Sequence, residues 1–427
     1  MDSFNFDKEI KSCEIICVGT ELLLGSTLNT NGNFFSKELS KLGIFCYRET
    51  TIGDNRERLL FQINQAAAEN DLVILSGGLG PTEDDLTCET AAAACGLSMV
   101  LNEESLERIV EFFKFRGREM APNNRKQAMV PEGALVLQND NGTAPGSVFM
   151  WEKNDHKCLV AVLPGPPSEL IPMFNTKLKP IIEKYSVNRL INEYVHICGV
   201  GESSAEEMIK DLIDTQVNPT IAPYASLGEC MFRVTQSVGK DETYIDMITP
   251  VVEELKNRFG DNIYEVGNRS LPEVLIDLLR EKNLKLAFAE SCTGGLLSSG
   301  IVDIPGSSDV FLGAVVSYDN SVKENVLKVS SDTLSTVGAV SYECAEQMAF
   351  GVRNLLNADI AVSVTGIAGP GGGSDEKPVG TVYIGFSSAK GTESFLYKTN
   401  GNRSKIRKTT AVKVYDFIRR KILSGEV

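Results

Sequence analysis

The sequence has few of the residues that build metal sites and disulfide frameworks. Its 427 residues include only two histidines, His156 and His196, and ten cysteines with no Cys-x-x-Cys pair. We therefore expect no zinc site built on histidine, and we interpret the cysteines as reduced thiols. No run of about 18 apolar residues occurs, and the acidic N-terminus does not resemble a signal peptide. These absences predict a cytoplasmic protein without a transmembrane helix.

Basic residues are also in deficit. The chain carries 42 Lys and Arg against 57 Asp and Glu, which gives a formal net charge of -15. Sequence-blind nucleic-acid binding needs basic patches that release counterions, so nucleic acid is not an expected partner. With 42% hydrophobic and 23% charged residues the composition is that of an ordinary globular protein. At ~100–200 residues per domain, the length predicts two to four domains.

The first part of the chain alternates strand and helix patterns. Apolar strands are predicted at 14–18, 45–51 and 71–75, with helices at 33–42 and 56–70 between them. This rhythm predicts a parallel sheet covered by helices on both faces. Functional loops should then lie at the carboxyl ends of the strands.

Two breaks divide the rest of the chain. A rigid turn, Leu163-Pro164-Gly165-Pro166-Pro167, follows the first part, and a second boundary falls near Gly267. Between them a small α+β unit is predicted, with strands at 194–198 and 231–237 and helices at 203–214 and 246–259. Beyond it we predict a helix at 273–282, strands at 285–289 and 360–364, and a basic stretch at 403–421. The prediction is a multi-domain α/β protein with domains at 1–170, 171–267 and 268–427.

A glycine-rich loop follows the strand at 71–75 and enters a helix. It has the sequence Gly77-Gly78-Leu79-Gly80-Pro81-Thr82-Glu83-Asp84-Asp85. Glycines let backbone N–H groups approach an anion closely, and Asp84 and Asp85 could hold a divalent cation that bridges phosphate oxygens. The alternative is a tight turn whose acids cap the helix.

Two further loops strengthen the functional interpretation. They are Gly19-Thr20-Glu21-Leu22, after the first strand, and Asn141-Gly142-Thr143-Ala144-Pro145-Gly146. Together with the glycine-rich loop they resemble the molybdopterin-binding (MoaB/MogA-like) domain over about the first 170 residues. The resemblance implies a three-layer α/β fold and a binding site made by Glu21, Gly78, Gly80, Thr82, Asn141, Thr143 and Glu169, with Asp84 and Asp85 on the metal.

A second group of motifs lies in the last 160 residues. The loop Ala289-Glu290-Ser291-Cys292-Thr293-Gly294-Gly295 follows a predicted strand, where it could cradle a phosphate or stabilise an oxyanion. No histidine lies beyond His196, so a serine nucleophile would need Lys323 or Tyr318 as its partner. A free lysine has a pKa near ~10.4, so this base would have to be shifted by about 3 units. Burial beside a cation such as Arg403 could provide that shift, and Cys292 is the rival nucleophile.

These motifs resemble the nicotinamide mononucleotide (NMN) deamidase domain. The matching segments are AESCTGG, PGSS, SYDNSVK, TGIAGPGGG, KPVGTVYIG and GNR. The resemblance implies hydrolysis of NMN by a serine–lysine pair without a cofactor, with Ser308 as nucleophile and Lys323 as base. Tyr318 would assist, Arg403 would hold phosphate or tune the lysine, and Ser291, Thr293 and Gly366 would line the pocket. Spacing alone does not decide between Ser308 and Ser291.

The order of the domains resembles the full-length CinA (competence/damage-inducible protein A) family, with a KH-type domain in the middle. Its loop Gly199-Val200-Gly201-Glu202 lacks the GxxG spacing that clamps nucleic acid, which favours a dimerising spacer. The resemblance implies a homodimer and a metal-dependent ADP-ribose pyrophosphatase in the front domain, with NMN and ADP-ribose as substrates. Two alternatives remain: a non-catalytic pterin- or nucleotide-binding scaffold, and an active amidase with an inactive front domain.

Overall fold

The computed structural model describes residues 6–240 and 242–427. Contacts divide the chain into two compact units, one of residues 1–191 and 237–245, the other of residues 192–236 and 246–427. Among the described residues no helix is both long and apolar enough to cross a bilayer. All ten cysteines are free thiols.

The first unit alternates strands and helices as the sequence predicts. Its elements are β1 (Ser12–Val18), α1 (Thr20–Leu23), α2 (Thr30–Lys41), β2 (Phe45–Ile52), α3 (Arg56–Glu69), β3 (Leu72–Ser76), α4 (Thr87–Ala94), β4 (Met99–Leu101), α5 (Glu103–Phe115), β5 (Met129–Pro131), β6 (Leu135–Leu137), β7 (Gly146–Lys153), β8 (His156–Leu163), α6 (Pro167–Met173) and α7 (Lys179–Glu183). A 3-10 helix at Pro122–Ala128 precedes β5, and one π turn at Phe174–Leu178 joins α6 to α7.

The sheet of this unit is mixed rather than wholly parallel. Its strand order is β2-β1-β3-β8-β7-β6, and the first four strands are parallel. Strands β7 and β6 add as antiparallel neighbours, because β7 and β8 are joined by a short hairpin at Asn154 and Asp155 rather than by a crossover helix. The parallel sheet predicted from the sequence is therefore correct for its first part only.

Both faces of this sheet are buried. Along β1, Ile15 packs into one core and Ile16 into the other, as alternation along a strand requires. Phe174, Leu178 and Ile182, which lie beyond the predicted domain boundary at residue 170, belong to the first of these cores. That boundary was wrong, because it cuts α6 and removes buried core residues from their domain.

The second unit begins inside strand β9 (Asn188–Cys198). Its further elements are α8 (Glu202–Glu207), α9 (Lys210–Thr215), β10 (Thr220–Ala225), β11 (Glu229–Gly239), α10 (Ile248–Phe259), β12 (Ile263–Val266), α11 (Leu271–Glu281), β13 (Leu286–Glu290), α12 (Leu296–Val302), β14 (Phe311–Val316), α13 (Asn320–Asn325), α14 (Ser331–Thr336), α15 (Tyr342–Leu356), β15 (Ile360–Gly366), β16 (Thr381–Ser388), β17 (Gly391–Lys398) and α16 (Arg403–Leu423). Where the sequence predicts one helix at 203–214, the chain breaks into α8 and α9, since Ile209 turns into the core with non-helical backbone angles.

Two sheets form the second unit. A four-stranded sheet has the order β10-β11-β9-β12, and a five-stranded sheet has the order β14-β13-β15-β16-β17. In the larger sheet β14, β13 and β15 are parallel, while β16 and β17 are antiparallel. Phe288 on β13 faces a core shared with α11 and α16, and Ala287 faces a core shared with α15. The carboxyl ends of the three parallel strands therefore meet at one edge, where the motif loops begin.

Candidate functional sites

The glycine-rich loop of the first unit follows β3, and its backbone conformation requires glycine at two positions. Gly77 and Gly78 have φ angles of +100° and +65°, which disfavour residues with a Cβ. A Cβ on Gly77 would lie 2.2 Å from the carbonyl oxygen of Val18. The loop therefore passes directly over the end of β1, beside the exit loops of its neighbours.

The exit loops enclose a cleft of about 520 Å³. Of the site residues predicted from the sequence, those in its lining are Glu21, Gly78, Gly80, Asp84, Asp85, Thr143 and Glu169. A cleft of this volume lies within the ~300–1,000 Å³ range of small-molecule sites. The structure thus brings together residues that are up to about 150 positions apart in sequence.

Two predicted ligand residues, Thr82 and Asn141, do not line the cleft. The Thr82 N–H donates to Asp85 Oδ2 at 2.9 Å, and the Thr82 carbonyl accepts from Lys126 Nζ at 2.9 Å. Asn141 donates to the carbonyl of Ser168 at 3.0 Å. The Thr82 hydroxyl also donates to Asp85 Oδ2. The structure therefore differs from the prediction, because both side chains bond to neighbouring loop residues and neither lines the cleft.

The lining of the cleft is acidic. It contains five carboxylates and no lysine, arginine or histidine among the described residues; the carboxylates are Glu21, Asp54, Asp84, Asp85 and Glu169. Hydrogen bonding by Thr82 lowers the pKa of Asp84, to which Lys126 adds its positive charge. Burial raises the pKa of Glu169, and the hydrogen bond from Asn139 opposes that rise. An anionic ligand would therefore need a cation to enter this cleft.

Asp84 and Asp85 both line the cleft, where they could supply carboxylate oxygens to one divalent cation. No group of three or more His, Cys, Asp or Glu side chains in the described part of the chain could enclose a metal. Mg²⁺ commonly takes only one or two carboxylates and completes its shell with phosphate oxygens and water. Thr82 engages Oδ2 of Asp85, which leaves Oδ1 without a hydrogen bond in the described chain.

Other residues of the cleft escaped the sequence analysis. Asn31 Nδ2 donates to Ser76 Oγ at 2.9 Å and to the Gly165 carbonyl at 2.7 Å, and it thereby joins two exit loops. Asp54 accepts from the N–H of Thr20 at 3.0 Å. Neither lies in a glycine-rich motif: Asp54 follows β2, whose carboxyl end was expected to carry function, whereas Asn31 lies in the first turn of α2.

In the second unit, hydrogen bonds hold the motif loops together at the edge of the larger sheet. The Ser317 N–H donates to the Glu290 carbonyl at 2.8 Å, and the Ser291 N–H donates to the Val364 carbonyl at 2.9 Å. Gly366 ends β15 at this edge, where a Cβ would lie 2.7 Å from the Thr381 carbonyl oxygen. Ser291, Ser317 and Gly366 therefore share one edge of the sheet.

Lys323 is buried at this edge, with 1% of its surface exposed. Its Nζ donates to the carbonyls of Ser317 at 2.7 Å and Tyr318 at 3.2 Å. No carboxylate of the described residues forms an ion pair with it. Burial lowers the pKa of Lys323, although Cys344, Asp319 and Cys292 act in the opposite direction. Burial without a counterion disfavours the charged ammonium and so favours a neutral amine, whereas the two carbonyl acceptors stabilise the ammonium and limit the shift.

Arg403 contacts Tyr318, the residue whose carbonyl accepts from Lys323. Its guanidinium donates to Tyr318 Oη at 2.9 Å and to the Gly369 carbonyl at 2.9 Å. Tyr318 is 62% exposed. Burial, rather than Arg403, accounts for the lowered pKa of Lys323.

Ser308 lies at the other end of β14. It is exposed in the short 3-10 helix Ser307–Asp309, which precedes β14. The flanking carbonyl of Gly306 accepts from Arg280 at 2.7 Å. Lys323 binds the carbonyl of Ser317 directly after that strand, and the six residues of β14 span about 20 Å. The predicted pair of Ser308 and Lys323 is therefore not assembled within one chain.

Ser291 and Ser317 share the edge with Lys323; Ser317 is fully buried, whereas Ser291 is 9% exposed. The neighbouring Cys292 interacts electrostatically with Lys323, Arg403 and Arg407. Burial raises the pKa of Cys292 to about 12, so its thiol stays protonated near neutrality and is a poor nucleophile.

The loop after Ser291 also meets a residue that the sequence analysis missed. Arg407 donates to the Thr293 carbonyl at 2.6 Å. Its spacing of four residues from Arg403 on α16 places both arginines on one helix face, which is a signal the sequence contained.

Three buried hydroxyls at this edge have no hydrogen-bond partner among the described residues. They are Thr293 Oγ1, Ser317 Oγ and Thr381 Oγ1. Buried polar groups are normally satisfied, so such a group near a buried lysine indicates a place where a polar ligand completes the bonding. Glu290, by contrast, is fully engaged, because it accepts from the N–H groups of Leu297 at 3.1 Å and Ser298 at 2.9 Å.

Three family models match the chain. One described as "probable molybdopterin binding domain" matches residues 14–184, one described as "damage-inducible protein CinA KH domain" matches 192–264, and one described as "CinA C-terminal domain" matches 268–422.

Full-length relatives match as well. A "CinA-like protein" of Dictyoglomus thermophilum is 48% identical over 413 residues, which cover 96% of this chain and 99% of the relative. A "CinA-like protein" of Kosmotoga olearia is 45% identical over 410 residues, covering 96% and 98%. Among solved structures, the competence/damage inducible protein CihA of Agrobacterium tumefaciens is 39% identical, covers 35% of this chain and 92% of its own, and has a TM-score of 0.34.

Proposed function

This chain belongs to the CinA family, and on that premise we propose that its C-terminal domain hydrolyses the amide of NMN to nicotinate mononucleotide and ammonia. The observation that carries the proposal is Lys323, a buried lysine without a counterion beside a serine loop. A neutral amine in that position is a general base for a serine nucleophile.

The structure leads us to assign the nucleophile to Ser291 instead of Ser308. In this assignment Ser291 Oγ attacks the amide carbon, and Lys323 Nζ accepts the proton that the hydroxyl loses. Return of that proton to the departing nitrogen releases ammonia and leaves an ester on Ser291. Water then hydrolyses the ester, which yields nicotinate mononucleotide and restores the serine.

The two arginines of α16 supply the expected recognition of phosphate. Arg403 and Arg407 lie one turn apart, and their guanidinium groups reach the loops that carry Thr293, Tyr318 and Gly369. Arginine pairs bind phosphate through several charge-assisted hydrogen bonds. The substrate phosphate would then hold the nicotinamide ring towards Ser291.

Ammonia release from NMN tests the amidase. We expect purified protein to release ammonia and Lys323→Met to lower kcat by about 10²–10⁴-fold, the usual contribution of a general base. Lys328→Met is the matched control, since Lys328 is exposed and donates to the Asn325 carbonyl. A folded wild-type protein that releases no ammonia would contradict the proposal and favour a binding scaffold.

We propose that the front domain hydrolyses ADP-ribose to AMP and ribose 5-phosphate with a divalent cation held by Asp84 and Asp85. The supporting observation is the cleft itself, whose described lining offers glycine backbone and carboxylates but no basic side chain to a diphosphate. When bound, the cation would neutralise the diphosphate and lower the pKa of an attacking water. Gly78 and Gly80 would let the backbone approach the phosphates closely, and Thr82 would hold Asp85 in place.

Cleavage of ADP-ribose with and without Mg²⁺ tests the front domain. We expect Asp84→Asn and Asp85→Asn to abolish cleavage while leaving ammonia release from NMN intact. Glu83→Gln is the control, because Glu83 lies in the same loop but does not line the cleft. Metal-independent cleavage, or none by the wild type, would overturn this half of the proposal and leave the front domain as a structural module.

A further inference from the structure

A smaller cavity of about 210 Å³ lies on the other side of the glycine-rich loop. It shares Gly78, Leu79, Gly80, Asp85, Gln127 and Ala144 with the main cleft, so the glycine-rich loop forms much of the wall between them. The volume is below the ~300–1,000 Å³ of a complete small-molecule site. This side pocket is therefore of a size to hold one ring system, not a whole nucleotide.

Two glycines of the wall between the cavities leave no room for a side chain. A Cβ on Gly78 would lie 2.2 Å from Thr87 Oγ1, and a Cβ on Gly80 would lie 2.4 Å from an Asp85 carboxylate oxygen. Neither position accepts a side chain without displacement of its neighbours. Because the two cavities share lining residues, a ligand that lies along this backbone in the cleft is directly adjacent to the side pocket.

The lining of the side pocket is mostly apolar and rich in sulfur. The apolar and sulfur-bearing residues are Leu79, Cys88, Met99, Met129, Ala144 and Pro145. Burial raises the pKa of Cys88 to about 12, which keeps its thiol neutral. Methionine sulfurs make favourable contacts with aromatic rings. This lining suits a flat heteroaromatic ring better than a sugar or a phosphate.

Some polar groups of the side pocket already form hydrogen bonds within the protein, and one does not. Lys126 Nζ donates to the Thr82 carbonyl at 2.9 Å, and Gln127 Nε2 donates to the Leu79 carbonyl at 3.3 Å. Gln127 Oε1 also accepts from Asn124 at 3.0 Å. Glu89, in the first turn of α4, has no hydrogen bond or ion pair within the described chain. Its carboxylate accepts hydrogen bonds only, so it suits a ring that carries an amino group.

We propose that the side pocket is the nucleobase subsite of the front domain and takes the adenine ring of a nucleoside diphosphate substrate. The ring lies among the methionines, Glu89 accepts from its amino group, and the diphosphate lies along Gly78–Gly80 in the main cleft. This inference rests on the proposed ADP-ribose cleavage and names the part of the substrate that the pocket selects.

Steady-state kinetics with a pocket-filling variant test the subsite. We expect Met99→Trp to raise the KM for ADP-ribose by about tenfold with little change in kcat, because it blocks the ring and not the reacting phosphates. Inhibition by inorganic diphosphate, which lacks a ring, should be unchanged. Val100→Trp is the matched control, since Val100 is the next residue of β4, is exposed and does not line the pocket.

Glu89→Gln tests recognition of the amino group. We expect it to reduce the preference for ADP-ribose over IDP-ribose, whose ring carries a carbonyl in place of the amino group, while Glu83→Gln retains the preference. The subsite would be overturned if the KM for ADP-ribose were unchanged in Met99→Trp and the preference were unchanged in Glu89→Gln. Loss of cleavage in Asp84→Asn would in that case still support the pyrophosphatase activity.

If the wild type does not cleave ADP-ribose, the subsite is tested by calorimetric measurement of AMP binding in the presence of Mg²⁺. Binding that weakens about tenfold in Met99→Trp, but not in Val100→Trp, supports the subsite. Absence of AMP binding to the wild type overturns it.

Discussion

Lys323 is the residue on whose protonation the proposed amide hydrolysis depends. Its two hydrogen-bond acceptors are backbone carbonyls, and burial lowers its pKa. A base must be neutral to accept a proton, so kcat/KM for NMN should rise with pH through the pKa of Lys323. That rise should lie below the ~10.4 of a free lysine.

Asp319 offers a direct test of this dependence. Its carboxylate raises the pKa of Lys323, so removal of that charge should lower the pKa and move the rising limb of the pH–rate profile to lower pH. Asp319→Asn is the suitable change, because asparagine keeps the cap of α13, where the side chain accepts from the Ser321 N–H. Asp332→Asn, at the first turn of α14, should leave the profile in place. A limb that does not move would show that another group controls the rate.

Residue roles were the part of the site that the sequence could predict least. The loops around Ser291, Lys323 and Arg403 were identified from their motifs. The structure places Ser308 before β14 and Lys323 beyond its end, and a spacing of 15 residues does not reveal that separation. Arg407 was missed because its partner is a backbone carbonyl 114 positions away.

At the scale of elements, α16 is joined to the loop before β12 by a buried charge cluster. Asp416, which is 2% exposed, accepts from Arg419 at 2.7 Å and Arg420 at 2.8 Å. Arg419 also donates to the Asp261 carbonyl at 2.7 Å, and Arg420 donates to the Cys198 carbonyl at 3.2 Å. These bonds give one physical reason why residues 192–236 and 246–427 form a single compact unit.

Removal of the central carboxylate should destabilise that unit. We expect Asp416→Asn to lower the free energy of unfolding by about 3–5 kcal/mol, because it leaves two arginines without their buried partner. Urea unfolding followed by circular dichroism measures this change, and Asp303→Asn on the exposed end of α12 serves as control. A loss below about 1 kcal/mol, the value of an exposed pair, would contradict the structural role.

The strands were predictable where their residues are continuously apolar. The predicted strands at 71–75 and 285–289 are each within one residue of β3 and β13, because buried parallel strands are apolar on both faces. Strands β7 and β6, and the break at Ile209, were not predicted. Those features depend on which neighbours a segment meets in the folded chain.

At the scale of the whole molecule, the order of domains followed from the motifs. The match to the molybdopterin-binding family model ends at residue 184, and the match to the KH-domain model begins at residue 192. Both agree with a first unit that continues beyond residue 170. The short helices α6 and α7 carried no glycine-rich motif, and their buried residues could be assigned to a core only from the structure.

The expected homodimer remains a prediction for the whole molecule. Strand β14 is an edge strand with one neighbour, and Leu312 and Val316 on it are 43% and 48% exposed. The strand contains no charged residue or proline that would protect the edge. We expect the wild type to be a dimer by light scattering and Leu312→Lys to be a monomer. A dimer that persists in Leu312→Lys would place the interface elsewhere, and a monomeric wild type would contradict the expectation.

The account depends most on which serine acts with Lys323, and one comparison of rates decides it. Ammonia release from NMN should be measured for wild type, Ser291→Ala and Ser308→Ala at matched thermal stability. We predict that Ser291→Ala loses activity by about 10⁴-fold or more, as loss of a nucleophile does, while Ser308→Ala stays within tenfold of wild type. Full activity in Ser291→Ala, with activity lost in Ser308→Ala, would contradict the site assembled at the carboxyl edge of the sheet.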